Sequence, residues 1–253
     1  MAIPIALQLY TLRDLLAKDF VGTVKAVAKI GYAGVEMAGY GDLQGGAKEA
    51  KKILDDLGLK VAGNHAAVEP LEQDINKVMD ENDILGNKNI CIAYVGEERR
   101  KDGQAWKDMA KLFNKFGAAL RKRGFDFGYH NHSFEFQKFD GKYGLDILWE
   151  NSDPNLVKSE LDTYWVQHGG EDPVAYMKKL GKRIMLLHMK DMAAGPEKRF
   201  AEVGTGILDF KAIVKAAPST GAKWYIVEQD STYETPHLQA VKTSYENLKK
   251  LVG

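Results

Sequence analysis

The feature that most restricts what this chain can fold into is an alternation repeated eight times. Short apolar runs of strand length begin at Ile5 ("IALQLY"), Gly34 ("GVEMAG"), Lys60 ("KVAGNHA"), Asn89 ("NICIAYV"), Phe127 ("FGYHNHSFEF"), Val157 ("VKSELDTYW"), Ile184 ("IMLLHMKD") and Lys223 ("KWYIVEQD"). Each is followed by a longer amphipathic stretch. Successive runs start roughly 30 residues apart, the length that a strand, a crossover helix and a parallel strand require. The helical stretches carry their own punctuation: Asp19 as N-cap and Gly31 as stop, Gly58, Gly124 after a helix from about Asp102 to Arg123, and Asp172 ahead of Pro173. The dipeptide Asp140-Gly141 marks a hairpin turn.

Eight such units most economically close into a single (β/α)8 barrel, a TIM barrel, which commonly takes about 250 residues. No linker or low-complexity segment divides residues 1–253, so one domain is expected. An open doubly wound α/β sheet is the alternative. It would normally place a Gly-rich turn after the first strand, where "LYTLRD" stands instead, and the chain has no GxGxxG, Walker or GxSxG motif.

Charge and cysteine usage narrow the partners. Lysine plus arginine number 35 and aspartate plus glutamate 35, so no net field draws the chain to nucleic acid or an anionic membrane. No window approaches the ~18 uninterrupted apolar residues of a membrane span. The single cysteine, Cys91, excludes an internal disulfide and reads as a small buried hydrophobe, which suits a reducing compartment. The opening "MAIPIALQLYTLRD" lacks a basic leader region and reads as a first strand rather than a signal peptide. A cytoplasmic protein is expected, and the sequence leaves a homo-oligomer open.

In a barrel of this kind chemistry gathers at the C-terminal ends of the strands. Those ends carry Gln8 and Tyr10, Glu36, Asn64 and His65, Tyr94, His130 and His132, Asp162, His188 with Lys190 and Asp191, then Glu228 with Asp230. Consecutive strands five to eight all end in histidine or carboxylate. Strand alternation lets His130 and His132, Asp162 with Glu160 and Tyr164, His188 with Lys190, and Glu228 with Asp230 each share a face. Two imidazoles and two carboxylates converging at one mouth suit a divalent metal: imidazole favours Zn, Fe, Co or Ni, and carboxylates pull toward Mn or Mg. The other reading is a set of mutually satisfied polar residues at strand ends.

At these residues the sequence resembles the xylose isomerase-like TIM barrels, the sugar phosphate isomerase/epimerase family. The likeness runs through "YHNHSFEF", "ELDTYW", "GGEDPVAYMKKLGKRIMLLHMKD", "EVGTGILDF" and "VEQD". It implies one divalent cation (Mn, Zn, Co or Mg) held at the ends of strands five to eight. The usual order of ligands is Glu, Asp, His and Glu, which maps onto His130, Asp162, His188 and Glu228. His130 stands where relatives carry glutamate, so either it is a neutral ligand or Glu160 completes the shell. The implied activity is a metal-dependent isomerase or epimerase of a keto sugar or polyol, with Glu228, His130 and Lys190 catalytic. The alternative is a keto-sugar or keto-cyclitol dehydratase or lyase, because the "YHNH" pattern departs from the paired glutamates of typical epimerases. A barrel endonuclease for abasic DNA and a non-catalytic barrel are further readings.

Glu36, His65, His132, Tyr10 and Trp165 are candidate substrate contacts, with Tyr94 and Tyr164 completing an aromatic wall. Each has a plainer reading: Glu36 and His65 paired to neighbouring loops, His132 bonded to Glu135, Lys190 paired to Asp191 or to the loop, the aromatics as packing. "GTGILDF" from Gly204 reads as a phosphate cradle or, more simply, as a turn with Asp209 capping a helix. His168 and His237 read as surface residues, and "GEERRKDG" as a solvated loop that could gate the site.

Overall fold

A computed structural model describes residues 3–253; Met1 and Ala2, the start of the stretch read as strand rather than signal peptide, lie outside the described residues. Eight parallel strands close on themselves: β1 (Ile5–Gln8), β2 (Gly34–Met37), β3 (Lys60–Ala66), β4 (Asn89–Ile92), β5 (Asp126–His130), β6 (Lys158–Asp162), β7 (Ile184–Met189) and β8 (Tyr225–Val227). β8 pairs with β1 to complete the ring, with Ala6 opposite Ile226. The principal helices are α1 (Phe20–Ile30), α2 (Gly46–Asp56), α3 (Val68–Leu85), α4 (Gly103–Arg121), α5 (Gly144–Glu150), α6 (Pro173–Leu180), α7 (Phe210–Ala216) and α8 (His237–Val252). The chain is a single (β/α)8 barrel. Among the described residues no helix is long and apolar enough to cross a membrane.

The caps explain why these helices start where they do. The carboxylates of Asp19, Asp102, Asp172 and Asp209 each accept a backbone N–H three residues on, satisfying a donor that the first helical turn leaves free. Asp140 (φ 49°) and Gly141 (φ 84°) make the expected hairpin turn between Lys138–Phe139 and Lys142–Tyr143.

Several strands stop short of their sequence pattern, β1 at Gln8 and β5 at His130 among them, and the sixth shows why. The run "VKSELDTYW" does not stay extended through Trp165. β6 ends at Asp162, and Thr163–His168 is helical because Asp162 Oδ1 accepts the Trp165 N–H at 2.8 Å. Tyr164 therefore leaves the face it was expected to share with Asp162. The lesson is local: an aspartate at a strand tip is also a strong N-cap.

Two cores support the mouth. Outside the strands, α4 lays Phe113 and Phe116 against Phe127, with ring centroids 5.4 and 5.9 Å apart. Gly117 lies inside the C-terminal part of α4, where alanine would be the better helix former. It is needed because a Cβ there would sit 2.2 Å from the Leu156 carbonyl oxygen. Inside the ring, Ala6, Ala62, Cys91, Met185, Leu186 and Ile226 form a small apolar plug. Above the plug the inward residues turn polar: Gln8, Glu36, His130, Glu160 and His188 are all buried. Register shifts at Val35/Glu36 and Ser159/Glu160 fall beside two of these residues, as irregularities that re-aim side chains near active sites often do.

Candidate active site

His130 at the end of β5, Asp162 at the end of β6, His188 on β7 and Glu228 just past β8 bring one ligand atom each to within 4.8 Å of one another. All four are buried. His188 Nδ1 lies 3.1 Å from Glu228 Oε2 and 3.9 Å from Asp162 Oδ2, and His130 Nε2 lies 4.0 Å from that same Asp162 oxygen. Asp162 Oδ2 has no hydrogen-bond partner, although its other oxygen caps a helix. Burial pushes this carboxyl up to about 7, while Lys190 and His188 pull it the other way. Burial, and then His188, bring His130 down to about 4, whereas at His188 burial is outweighed by Glu160, Glu36 and Glu228, which hold it well above the usual histidine range, so a cation there would displace a proton from His188. An orphaned buried oxygen facing two imidazoles and a second carboxylate fits a divalent cation. Asn131, between the two histidines, ties the strands together: its Oδ1 accepts the Asp162 N–H at 3.1 Å.

A second group, His65, His130, Glu160 and His188, lies beneath and overlaps the first. Here His65 Nε2 is 2.6 Å from Glu160 Oε2 and 3.3 Å from Glu36 Oε2. Glu36 also accepts from Gln8 Nε2 at 2.8 Å and from His188 Nε2 at 2.7 Å. Burial opposes a charge on His65, but Glu36 and Glu160 outweigh it and raise the ring to about 9. It is thus His130 that groups with Asp162 and Glu228, while Glu160 belongs to the lower layer.

Over both layers opens a cavity of about 690 Å³ lined by His65, His130, His132, Glu228 and Asp230, with Tyr10 and Tyr94 half exposed at its rim. Of the expected substrate contacts, His65, His132 and Tyr10 line it. Glu36 does not: it is fully buried below the floor. Trp165 stands behind His132, with ring centroids 5.2 Å apart. The His132 ring is not bonded to Glu135. It is the His132 backbone N–H that donates to Glu135 Oε2, at 2.9 Å, while Tyr129 donates to Oε1 at 2.7 Å. Burial, and then the neighbouring His130, hold the His132 ring well below the usual histidine range.

Lys190 is 1% exposed and pairs with Asp230 at 2.7 Å and Glu228 at 3.0 Å, not with Asp191. Burial works against its charge, but Glu228, Asp162 and Asp230 prevail and keep it protonated. It is a fixed cation behind Glu228 and no base. Asp191 points the other way, into the loop after β7. Its two oxygens accept the backbone N–H groups of Met192, Gly204, Gly206 and Leu208 at 2.8–3.2 Å. The amides of "GTGILDF" that would cradle a phosphate are already turned onto this internal carboxylate.

Sequence reasoning passed over Arg13. It donates to the Asp230 carbonyl at 3.0 Å and lies 4.4 Å over the Tyr10 ring, bracing the rim. Its signal was its position three residues after Tyr10. The charged loop contributes Gly96 to the cavity wall, and its Arg100 packs 3.9 Å over Phe134. His168 and His237 are partly exposed and lie outside the cavity.

Comparison with known proteins bears on both architecture and reaction. The profile of the xylose isomerase-like TIM barrel family matches residues 24–251. A solved sugar phosphate isomerase/epimerase from Parabacteroides distasonis superposes with a TM-score of 0.86 at 27% identity, over 100% of this chain and 96% of that one. An inosose dehydratase of Clostridium tetani is 29% identical over 158 residues, which span 55% of this chain and only about half, 52%, of that relative. An inosose dehydratase of Clostridium beijerinckii is 24% identical over 231 residues, 76% of this chain and 77% of its own length. These curated relatives overturn the expected isomerase or epimerase, as activity and as enzyme class, and favour the dehydratase alternative. The sequence departs at the same point: a buried His130 ends β5 where the resemblance led to the expectation of a glutamate. The reaction within this group of barrels is thus corrected while the group itself is not, and the chain belongs to the xylose isomerase-like TIM barrel family.

Proposed function

We propose that the protein is a divalent-cation-dependent dehydratase, a lyase that removes water from a polyhydroxylated cyclic ketone of the inosose kind. Residues 1–253 act as one barrel domain in this reading. The observation that carries it is geometric: the fifth-strand place beside Glu228 is filled by His130, and a second imidazole, His132, lines the same cavity. The names of the curated relatives point the same way.

Dehydration of a hydroxyketone needs one group to take a proton from the carbon next to the carbonyl and another to give a proton to the departing hydroxyl. In this reading His132 accepts the carbon-bound proton. The electron pair left behind forms the new C=C bond as the C–O bond one carbon further on breaks. The departing hydroxyl takes up a proton and leaves as water. A cation held by His130, Asp162, His188 and Glu228 supplies Lewis-acid polarisation of the ketone. Two imidazoles and two carboxylates suit Zn, Co or Mn better than Mg. Lys190 holds Glu228 in place, and Tyr10 and Tyr94 offer ring faces at the rim. Glu69 and Asp230 on the cavity wall, together with the loop closed by Asp191, suit an uncharged polyol rather than a phosphate ester.

The test is incubation of the protein with an inosose and Zn²⁺, Co²⁺ or Mn²⁺, followed by mass analysis. A product lighter by one water, lost in His132→Asn, is expected. Exchange of the α-proton with solvent deuterium, without loss of water from any inosose tried, refutes the reading.

A further inference from the structure

We infer that Glu36 is a positioning residue for the cation centre: its carboxylate fixes the ring of His188 so that the opposite nitrogen faces Asp162 and Glu228. The inference rests on the reading of His130, Asp162, His188 and Glu228 as a cation site. It gives the lower polar layer a task that is neither ligation nor substrate contact.

The two nitrogens of His188 face different neighbours. Nδ1 looks toward Glu228 Oε2 at 3.1 Å and Asp162 Oδ2 at 3.9 Å, whereas Nε2 lies 2.7 Å from Glu36 Oε2. An imidazole that offers Nδ1 to a cation keeps its proton on Nε2, and a buried N–H needs an acceptor. His188 and Glu36 are both fully buried, so solvent does not supply one. Glu36 is itself held. Gln8 Nε2 donates to the same oxygen at 2.8 Å, and Gln8 cannot flip, because its Oε1 accepts the Tyr10 N–H at 2.9 Å.

His130 repeats the arrangement in looser form. Its Nε2 faces Asp162, and its Nδ1 lies 3.3 Å from Glu160 Oε2, without good hydrogen-bond alignment. His65 Nε2 joins the two carboxylates from the cavity side. Each candidate ligand ring thus has a carboxylate behind it, the pattern in which outer partners set the tautomer and basicity of metal-bound histidines. The alternative is a second cation among His65, His130, Glu160 and His188. The 2.6 Å between His65 Nε2 and Glu160 Oε2 argues against it, being a hydrogen-bond length. Two donors on one tetrahedral zinc at about 2.1 Å stand about 3.4 Å apart.

The test uses the full chain stripped with a chelator and titrated with Zn²⁺ against a competing chromophoric chelator, alongside Glu36→Gln and Glu36→Leu. Wild type is expected to take one equivalent. Glu36→Gln keeps an oxygen toward His188 without the charge and is expected to bind about 10-fold more weakly; Glu36→Leu removes the acceptor and is expected to lose about 100-fold. The visible spectrum of the Co²⁺-loaded protein should change in Glu36→Leu and recover in part in Glu36→Gln. A purely structural role would lower the unfolding temperature of the cation-free variants and leave both cation affinity and spectrum alone, and that result overturns the inference. Two equivalents in wild type overturn it as well, by making the lower layer ligands. A wild type that binds no Zn²⁺ defeats the cation reading itself, and this inference with it.

Discussion

Replacing Asp191 by asparagine should loosen the loop after β7 and, for the first time, give it an affinity for phosphate. In the native chain Oδ2 accepts the N–H groups of Gly204 and Gly206, both at 2.9 Å, and Oδ1 accepts those of Met192 and Leu208 at 2.8 and 3.2 Å. Asparagine can keep only one oxygen. With Oδ1 retained, its amino group meets two N–H donors where an anion stood. Leaving a buried donor unsatisfied costs about 1–3 kcal/mol. Gly204 lies at an exposed part of the loop, so water relieves some of that cost. A net loss of about 2 kcal/mol is reasonable, which lowers the unfolding temperature by about 4–8 °C in a chain of this size. Amide exchange followed by mass spectrometry should show the protection lost over Gly204–Gly206 before it is lost in β7. Inorganic phosphate should then raise the unfolding temperature of Asp191→Asn and leave wild type unchanged. An asparagine variant as stable as wild type would refute the account of the loop. Saturable stabilisation of wild type by phosphate would refute the conclusion that its amides are already taken.

Three further outcomes follow from the packing and the charges. Glu135 is pushed up to about 7 by burial, despite hydrogen bonds from Tyr129 and the His132 N–H. A carboxyl raised in the folded state stabilises folding below its unfolded pKa of about 4.3 and loses that contribution as pH rises through its folded value. The stability of wild type relative to Glu135→Gln should therefore fall between pH 5 and pH 8, by on the order of 2–3 kcal/mol at most, as read from denaturant unfolding; a pH-independent difference refutes it. Gly117→Ala should destabilise by about 1–3 kcal/mol, because overpacking against the Leu156 carbonyl outweighs the better helix propensity of alanine, and a stabilised variant would contradict the close approach. Lys190→Met should cost about 3–5 kcal/mol in the cation-free protein by leaving Glu228 and Asp230 without their partner, and added Zn²⁺ should restore part of it, so a loss that Zn²⁺ does not reduce counts against the cation centre.

The barrel was legible because its evidence is periodic and redundant: eight runs, each bounded by a cap or a glycine, tolerate an error at any one end. The grouping of His130, Asp162, His188 and Glu228 could be picked out because these residues sit where strands stop, so alternation alone assigned their face. The lower layer could not. Glu36 and Glu160 share the inward face with their neighbours, but nothing in the spacing tells which imidazole each will meet across the barrel. The register shifts beside them move the partners further from any simple count. Asp191 was misjudged for a related reason: next to Lys190 it reads as an ion pair, while its true partners are amides up to 17 residues downstream. Arg13 drew no notice because its partner is the backbone of Asp230, at the far end of the chain.

Asp162 serves two masters. One oxygen begins the helix Thr163–His168, and the other faces His130, His188 and Lys190. A lineage that gave up cation chemistry would still be selected to keep this aspartate, since losing it would cost a helix cap worth about 1 kcal/mol. Its presence in a related sequence is therefore poor evidence of a working centre. His188 caps nothing, but it is buried against Glu36 and Glu228, so its loss would leave two buried carboxylates short of a partner.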